Sequence, residues 1–214
     1  MNELSAIDKK IEREILLGEY KGKDRVVLAE DKKAEVLFEK ANRPPFYAKT
    51  GMASLDACTD GFRKGQLIVV SGPPKHGKTS LCQTFTKRFT TDGLKCLWFS
   101  YELGYEEFFE KFPMDKLEFY IPNYLESGNL KWVEDRIIES RKKFNTDVVF
   151  IDNLDFLRDI EVLKGVSINL AAYVGGIVQK VKRLAVEQNV LIFLLSHIRK
   201  NEWKTEDIPT SEEL

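Results

Sequence analysis

Gly72-Pro73-Pro74-Lys75-His76-Gly77-Lys78-Thr79 reads G-x-x-x-x-G-K-T, the pattern of a loop that wraps a phosphate. Glycines let such a loop curl until successive backbone N–H groups face one concave point, which attracts an anion. Lys78 supplies a point charge for the outer phosphates of a nucleoside triphosphate, and Thr79 a hydroxyl for Mg²⁺. The flanks fit this reading. Leu67-Ile68-Val69-Val70 runs into the loop as a buried strand. Ser80 to Phe89 follows as a helix with an apolar face at Leu81, Phe85 and Phe89. The helix N-terminus adds its partial positive charge at the same point. Gly72, Pro73, Pro74, Lys75, His76, Gly77, Lys78, Thr79 and Ser80 are therefore the expected nucleotide contacts. His76 occupies a variable position of the pattern, and its identity there is incidental.

The chain has 214 residues, enough for one large domain with an appendage. Its net charge of −1 gives no global basic field, so any contact with nucleic acid must come from local patches. Cys58, Cys82 and Cys96 are odd in number and lack C-x-x-C spacing. That argues against a disulfide frame or a zinc site, and for a reducing compartment such as the cytoplasm or a mitochondrial matrix. Each cysteine is expected to pack as a small apolar residue. No apolar run is long enough to span a membrane, and no secretory signal core is seen, so no membrane partner is expected.

Residues 1–45 read as a helical leader. Leu4, Ile7, Ile11 and Ile15 form one apolar stripe on a charged helix, with Gly18 and Gly22 towards its end. A second short helix is expected from Lys32 to Lys40 with Val36 and Leu37 inward, broken by Pro44-Pro45. Three readings of the stripe stand: docking on its own domain, docking on a neighbouring subunit, or a frayed tail.

Residues 46–214 alternate strand and helix. After the first strand, Lys95 to Ser100 reads as a second, and Glu102 lies just past its carboxyl end, where ligands sit in open parallel sheets. A helix is expected over Glu106 to Phe112, a strand over Leu117 to Ile121, and a helix over Leu130 to Phe144. Asp147 to Asp152 reads as a central strand that delivers Asp152 to the ligand edge. Leu170 to Asn189 is a long helix interrupted at Gly175-Gly176, and Val190 to Leu195 a buried strand ending at Ser196-His197. Such alternation predicts an α/β fold with a mostly parallel sheet covered by helices on both faces.

The blocks TGMASLDACTDGFRKGQLIVVSGPPKHGKT, CLWFSYEL, DVVFIDNLDFL and VLIFLLSHIRK resemble, in this order, motifs of the RecA-like P-loop NTPase domain of DnaB-type hexameric replicative helicases. The likeness runs from Thr50 to Leu214, and KaiC-like and RadA-like proteins share much of it. It implies ATP and Mg²⁺ as cofactors, with Lys78 and Thr79 as the Walker A pair and Asp152 as the Walker B ligand of Mg²⁺. Glu102 matches the catalytic glutamate that activates water, although the neighbouring Tyr101 and Leu103 depart from the family's usual residues. His197 matches the strand-end residue that senses the γ-phosphate. A strand-end carboxylate at 102 and a packing or capping histidine at 197 are the plainer alternatives.

The same resemblance places Arg158 and Lys164, then Arg199 and Lys200, in loops that face single-stranded DNA at the centre of a ring. Interspersed acids make a solvated mixed-charge loop the competing reading. It further implies a homo-hexamer, with a primase or a helicase loader as further partners. The family's arginine finger falls past Leu214, so the chain as given is expected to be cut within the domain and to hydrolyse ATP slowly. The implied function is an ATP-driven helicase motor. The alternatives are a regulatory or recombination ATPase, or a nucleotide-binding assembly module.

Overall fold

The computed structural model of the protein describes residues 11, 15, 18, 26–42, 46–112, 116, 118–126, 129–157 and 170–197. Two compact units emerge, Met1–Pro45 and Phe46–Leu214. In the first, residues 11, 15 and 18 are helical, and helix α1 spans Ala29–Asn42. Leu4 and Ile7 lie outside the described residues. Val36 and Leu37, expected inward, are both more than half exposed. Charged residues surround them on a 14-residue helix, which leaves no apolar stripe broad enough to bury.

The second unit runs α2 (Ala53–Thr59), β1 (Leu67–Gly72), α3 (Lys78–Thr91), β2 (Cys96–Ser100), α4 (Tyr105–Glu110), α5 (Leu130–Phe144), β3 (Val148–Asp152), a 3-10 turn (Leu154–Leu157), α6 (Leu170–Glu187) and β4 (Leu191–His197). Its sheet has the order β1-β4-β3-β2, and every pairing is parallel. All four strands therefore end at the same edge, at Gly72, Ser100, Asp152 and His197. The register sets Gly72 beside His197, and Ser100 beside Asp152.

Alternation along the strands sorts the core into two layers. Leu97, Phe99, Val149, Ile151, Ile192 and Leu194 point to one face, where α5 and α6 bring Val133, Ile137, Ile177, Val181 and Leu184. The other face is aromatic. Trp98, Phe150 and Phe193 lie in register on β2, β3 and β4 and stack across the strands, with ring centroids 4.5 and 5.0 Å apart. Phe85 and Phe89 of α3 press on Phe193 at 5.9 and 6.0 Å. The indole N–H of Trp98 donates to the buried Thr86 hydroxyl at 2.8 Å, which pins α3 to β2.

The helix ends explain why the strands start where they do. Behind α3, Gly93 takes a left-handed φ of 81°, and Leu94 N–H reaches back to Phe89 O at 2.9 Å. Asn129 caps α5 by accepting from Trp132 N–H. Further expectations differ from the structure: Gly175-Gly176 does not interrupt the helix Leu170–Glu187, and Val69 of β1 is exposed. Among the described residues of the strand expected over Leu117 to Ile121, Tyr120 alone forms a bridge, to Leu97, with N–H and C=O bonds to Cys96 and Trp98 along the outer side of β2. Pro122 follows and cannot donate to a longer ladder. Cys58 is exposed instead of packed, because α2 buries none of its side chains. The P-loop helix begins at Lys78, two residues before the expected start, since Gly77 is its N-cap.

Candidate active site at the carboxyl ends of the strands

Between β1 and α3, the loop curls through two left-handed residues, Lys75 at φ 65° and Gly77 at φ 79°. Glycine takes that conformation at no steric cost, whereas lysine pays for it, so the curl at residue 75 is imposed by the loop as a whole. Lys75, His76 and Gly77 are exposed, and the His76 ring folds back to Pro74 O at 2.9 Å. Ser80 is exposed on the first turn of α3.

Lys78 is buried, which is rare for an ammonium group unless it is paired. It donates to Gly72 O at 3.1 Å and Pro73 O at 2.9 Å, and its Nζ stands 3.1 Å from Nδ1 of His197. The two carbonyls are neutral partners, so they solvate the charge without neutralising it. Thr79, next in the helix, donates its hydroxyl to Asp152 Oδ2 at 2.7 Å. The other oxygen of Asp152, Oδ1, is buried and has no hydrogen-bond partner among the described residues. Burial pushes the Asp152 carboxyl up to about 6, and the charge of Glu102 adds to the rise; the Thr79 hydroxyl, Lys78 and His197 oppose it.

Glu102 reaches the same edge from the end of β2. The Tyr101 and Glu102 N–H groups both donate to Asp152 O, at 2.7 and 3.2 Å, so the turn after β2 is tied to the end of β3. Tyr101 stacks on Phe156 of the 3-10 turn, with centroids 5.9 Å apart, and its hydroxyl donates to Glu126 O. The residue that departs from the family's usual pattern thus braces the turn that presents Glu102. Glu102 Oε2 lies 3.3 Å from His197 Nε2.

The edge brings Lys78, Thr79, Glu102, Asp152 and His197 together. One residue beyond the sequence reading joins them. Asn153, buried at 1% exposure, places Nδ2 3.1 Å from Glu102 Oε2 and 2.9 Å from His197 Nε2. Its sequence signal is slight, an Asn after a strand-end Asp, which reads as a turn residue. Arg158, Lys164, Arg199 and Lys200 lie outside the described residues.

The donor set fits a hard divalent cation beside a phosphate. Both candidate ligands, Thr79 and Asp152, offer oxygen, and one carboxylate oxygen is buried with no partner among the described residues. A parallel sheet with this strand order, a P-loop after β1 and acids at the ends of β2 and β3 define a RecA-like P-loop fold.

Residues 48–140 match the family DnaB-like helicase C terminal domain. A probable replicative DNA helicase of Trieres chinensis is 26% identical over 220 residues, which cover 87% of this chain and 48% of that protein. The chain thus spans about half the length of that relative. Among solved structures, an isolated ATPase domain matches with a TM-score of 0.62 at 17% identity, over 88% of this chain and 78% of that one. A DnaB-like replicative helicase, described with its interactions with primase, matches at 0.62 and 16% identity, over 96% of this chain and 57% of that one. The described fold is that of RecA-like ATPase domains, and the sequence likeness to DnaB-like helicases lies in residues 48–140. The family match takes in the P-loop and Glu102; Asp152, Asn153 and His197 follow it and are placed by geometry. No helix among the described residues is long and apolar enough to cross a membrane.

Proposed function

We propose that this chain binds and hydrolyses Mg²⁺-ATP, and that hydrolysis drives movement along single-stranded DNA within a hexameric ring. The observation that carries the reading is the meeting of Lys78, Thr79, Glu102, Asp152 and His197 at one strand edge, from four different strands and loops. Bound Mg²⁺-ATP would supply the phosphoryl group and the cation that offsets charge on it.

The protein's own part follows from the geometry. Lys78 exchanges two carbonyl partners and His197 for phosphate oxygens. The exchange is favourable because the buried ammonium then meets an anion in place of neutral groups. Thr79 and Asp152 would hold the cation, which would offset charge on the phosphates; the carboxylate of Asp152 has an oxygen to offer it. Glu102 orients the attacking water and takes its proton at a carboxylate oxygen. His197, freed from Lys78, has Nδ1 available to a phosphate oxygen.

Single-stranded DNA, self-assembly and a primase or loader partner are carried by the relationship to replicative helicases. Arg158, Lys164, Arg199 and Lys200 are the first residues to test for DNA contact. The test of the central reading is equilibrium binding of a fluorescent ATP analogue, together with ATP turnover with and without single-stranded DNA. Lys78→Ala should abolish binding and leave the unfolding transition in place. Unchanged affinity in that variant would remove the site, and a turnover indifferent to DNA would remove the motor.

A further inference from the structure

Asn153 is buried in a crowd of charged and polar groups, yet it holds no charge and is not one of the residues that meet the nucleotide in the reading above. Its two ends do different things. Oδ1 accepts from Asp155 N–H at 2.9 Å and so starts the 3-10 turn after β3. With Oδ1 engaged there, the amide orientation is set, and Nδ2 points to Glu102 Oε2 at 3.1 Å and His197 Nε2 at 2.9 Å.

The histidine makes this arrangement conditional. A neutral imidazole has one acceptor nitrogen. His197 Nδ1 faces the Lys78 ammonium, which can only donate, and Nε2 faces the amide of Asn153, which at Nδ2 can only donate. The ring can accept from one of them at a time. While Lys78 sits on Nδ1, the ring hydrogen falls on Nε2, where it faces Glu102 Oε2 at 3.3 Å and stands donor against donor with the Asn153 amide, so ring and amide are at odds until Lys78 leaves. Once Lys78 leaves for a phosphate, Nδ1 can carry the hydrogen and Nε2 can accept from Asn153. One amide then spans ring and carboxylate, with one hydrogen for each.

We infer that Asn153 is a positioning residue that joins the γ-phosphate side of the site to the general base: its Nδ2 holds the Glu102 carboxylate and the His197 ring at a fixed separation once Lys78 has moved to the nucleotide. The inference rests on Glu102 being the base, as proposed above. It makes a prediction that a packing role for Asn153 does not. Aspartate has the same shape and keeps the acceptor that Asp155 N–H needs, but it has no donor to offer Glu102. If Asn153 only builds the turn, aspartate keeps it, and what remains is the repulsion between its carboxylate and Glu102, which alanine does not have. If it positions Glu102, aspartate is at least as damaging as alanine.

The experiment compares wild type, Asn153→Ala, Asn153→Asp and Glu102→Gln for affinity towards a fluorescent ATP analogue and for single-turnover ATP hydrolysis. Both Asn153 variants are expected to keep nucleotide affinity within about threefold and to lose on the order of 100-fold in rate, the cost of a misplaced catalytic group. Should Asn153→Ala unfold, the isosteric Asn153→Asp carries the comparison. As a readout independent of turnover, ¹⁵N spectra of the His197 ring should show its hydrogen moving from Nε2 to Nδ1 when the analogue binds. An Asn153→Asp variant that hydrolyses at the wild-type rate, or a ring tautomer that ignores nucleotide, overturns the inference. Glu102→Gln separates the two levels. If it turns over normally, the base lies elsewhere and the proposed mechanism fails; if it is slow while Asn153→Asp is normal, only the role of Asn153 fails.

Discussion

Strand β3 is built by two opposite rules within six residues. Val148, Val149, Phe150 and Ile151 are fully buried and apolar, alternating between the aliphatic and the aromatic layer. Asp152 and Asn153, next along the chain, are just as buried and wholly polar. In the middle of the sheet, burial lowers the free energy of each side chain. At the carboxyl edge it raises that of Asp152, whose Oδ1 is buried with no partner among the described residues. The sheet interior is thus satisfied in itself, and on the proposed function the edge would be satisfied by the bound ligand. The two regions should respond to substitution in opposite senses.

The sharpest contrast comes from the interior. Phe150→Ala removes the ring that stacks between Trp98 and Phe193, on a face that cannot collapse around the gap because three strands hold its floor. Urea unfolding should show a loss of about 3–5 kcal/mol. Molecules that remain folded should bind nucleotide with nearly unchanged affinity. A loss below about 1 kcal/mol would mean that the aromatic layer repacks and that the interior is less rigid than its geometry suggests.

At the edge, the expected sign reverses. The Asp152 carboxyl stands at about 6 in the folded protein against 3.8 ordinarily. Between those values the native state holds a proton that the unfolded chain releases. Asp152 should therefore contribute a loss of stability as pH rises from 4 to 6, levelling off above, on the order of 3 kcal/mol, read as the difference between the nucleotide-free protein and Asp152→Asn. Asp152→Asn should flatten that slope and raise stability at pH 7 without nucleotide, while Mg²⁺-dependent nucleotide binding weakens. Equal stability of the two proteins across this pH range would show that the edge carries no such stored cost.

The same division decides what could be read from the sequence. Apolar runs at 96–99, 148–151 and 191–195 are visible as strands because both of their faces are buried; the run at 67–70, expected to be buried as well, lies at the edge of the sheet with Val69 about half exposed, and glycine with Lys78-Thr79 marks the loop. The acids and the histidine could be placed because a strand end in a parallel sheet is a known ligand position. Strand order was not legible, since β4 slips between β1 and β3 and nothing local to either strand encodes its neighbours. Asn153 was not legible for the same reason. Its meaning comes from Glu102, 51 positions earlier, and His197, 44 later, and from no spacing along its own strand.

Tyr101 sits on the border between the two regions and allows the finest test. Its ring belongs to the interior, stacked on Phe156 and packed against the aliphatic layer through Phe99. Its hydroxyl is half way out, donating to Glu126 O at 3.1 Å, and its backbone N–H helps anchor the turn that presents Glu102. Burial holds the phenol far above its ordinary range, so it stays protonated and acts as a donor at any working pH. Tyr101→Phe keeps the ring and the backbone bond and removes only the hydroxyl. One neutral hydrogen bond is worth about 0.5–1.5 kcal/mol, and the Glu126 carbonyl it leaves is only partly buried and can turn to water. Stability should fall by about 1 kcal/mol, and nucleotide affinity and turnover should not change, because the brace on Glu102 is the ring and the main chain. A drop in turnover larger than the drop in stability would place the hydroxyl on the catalytic side of the border, and would extend the edge by one residue towards β2.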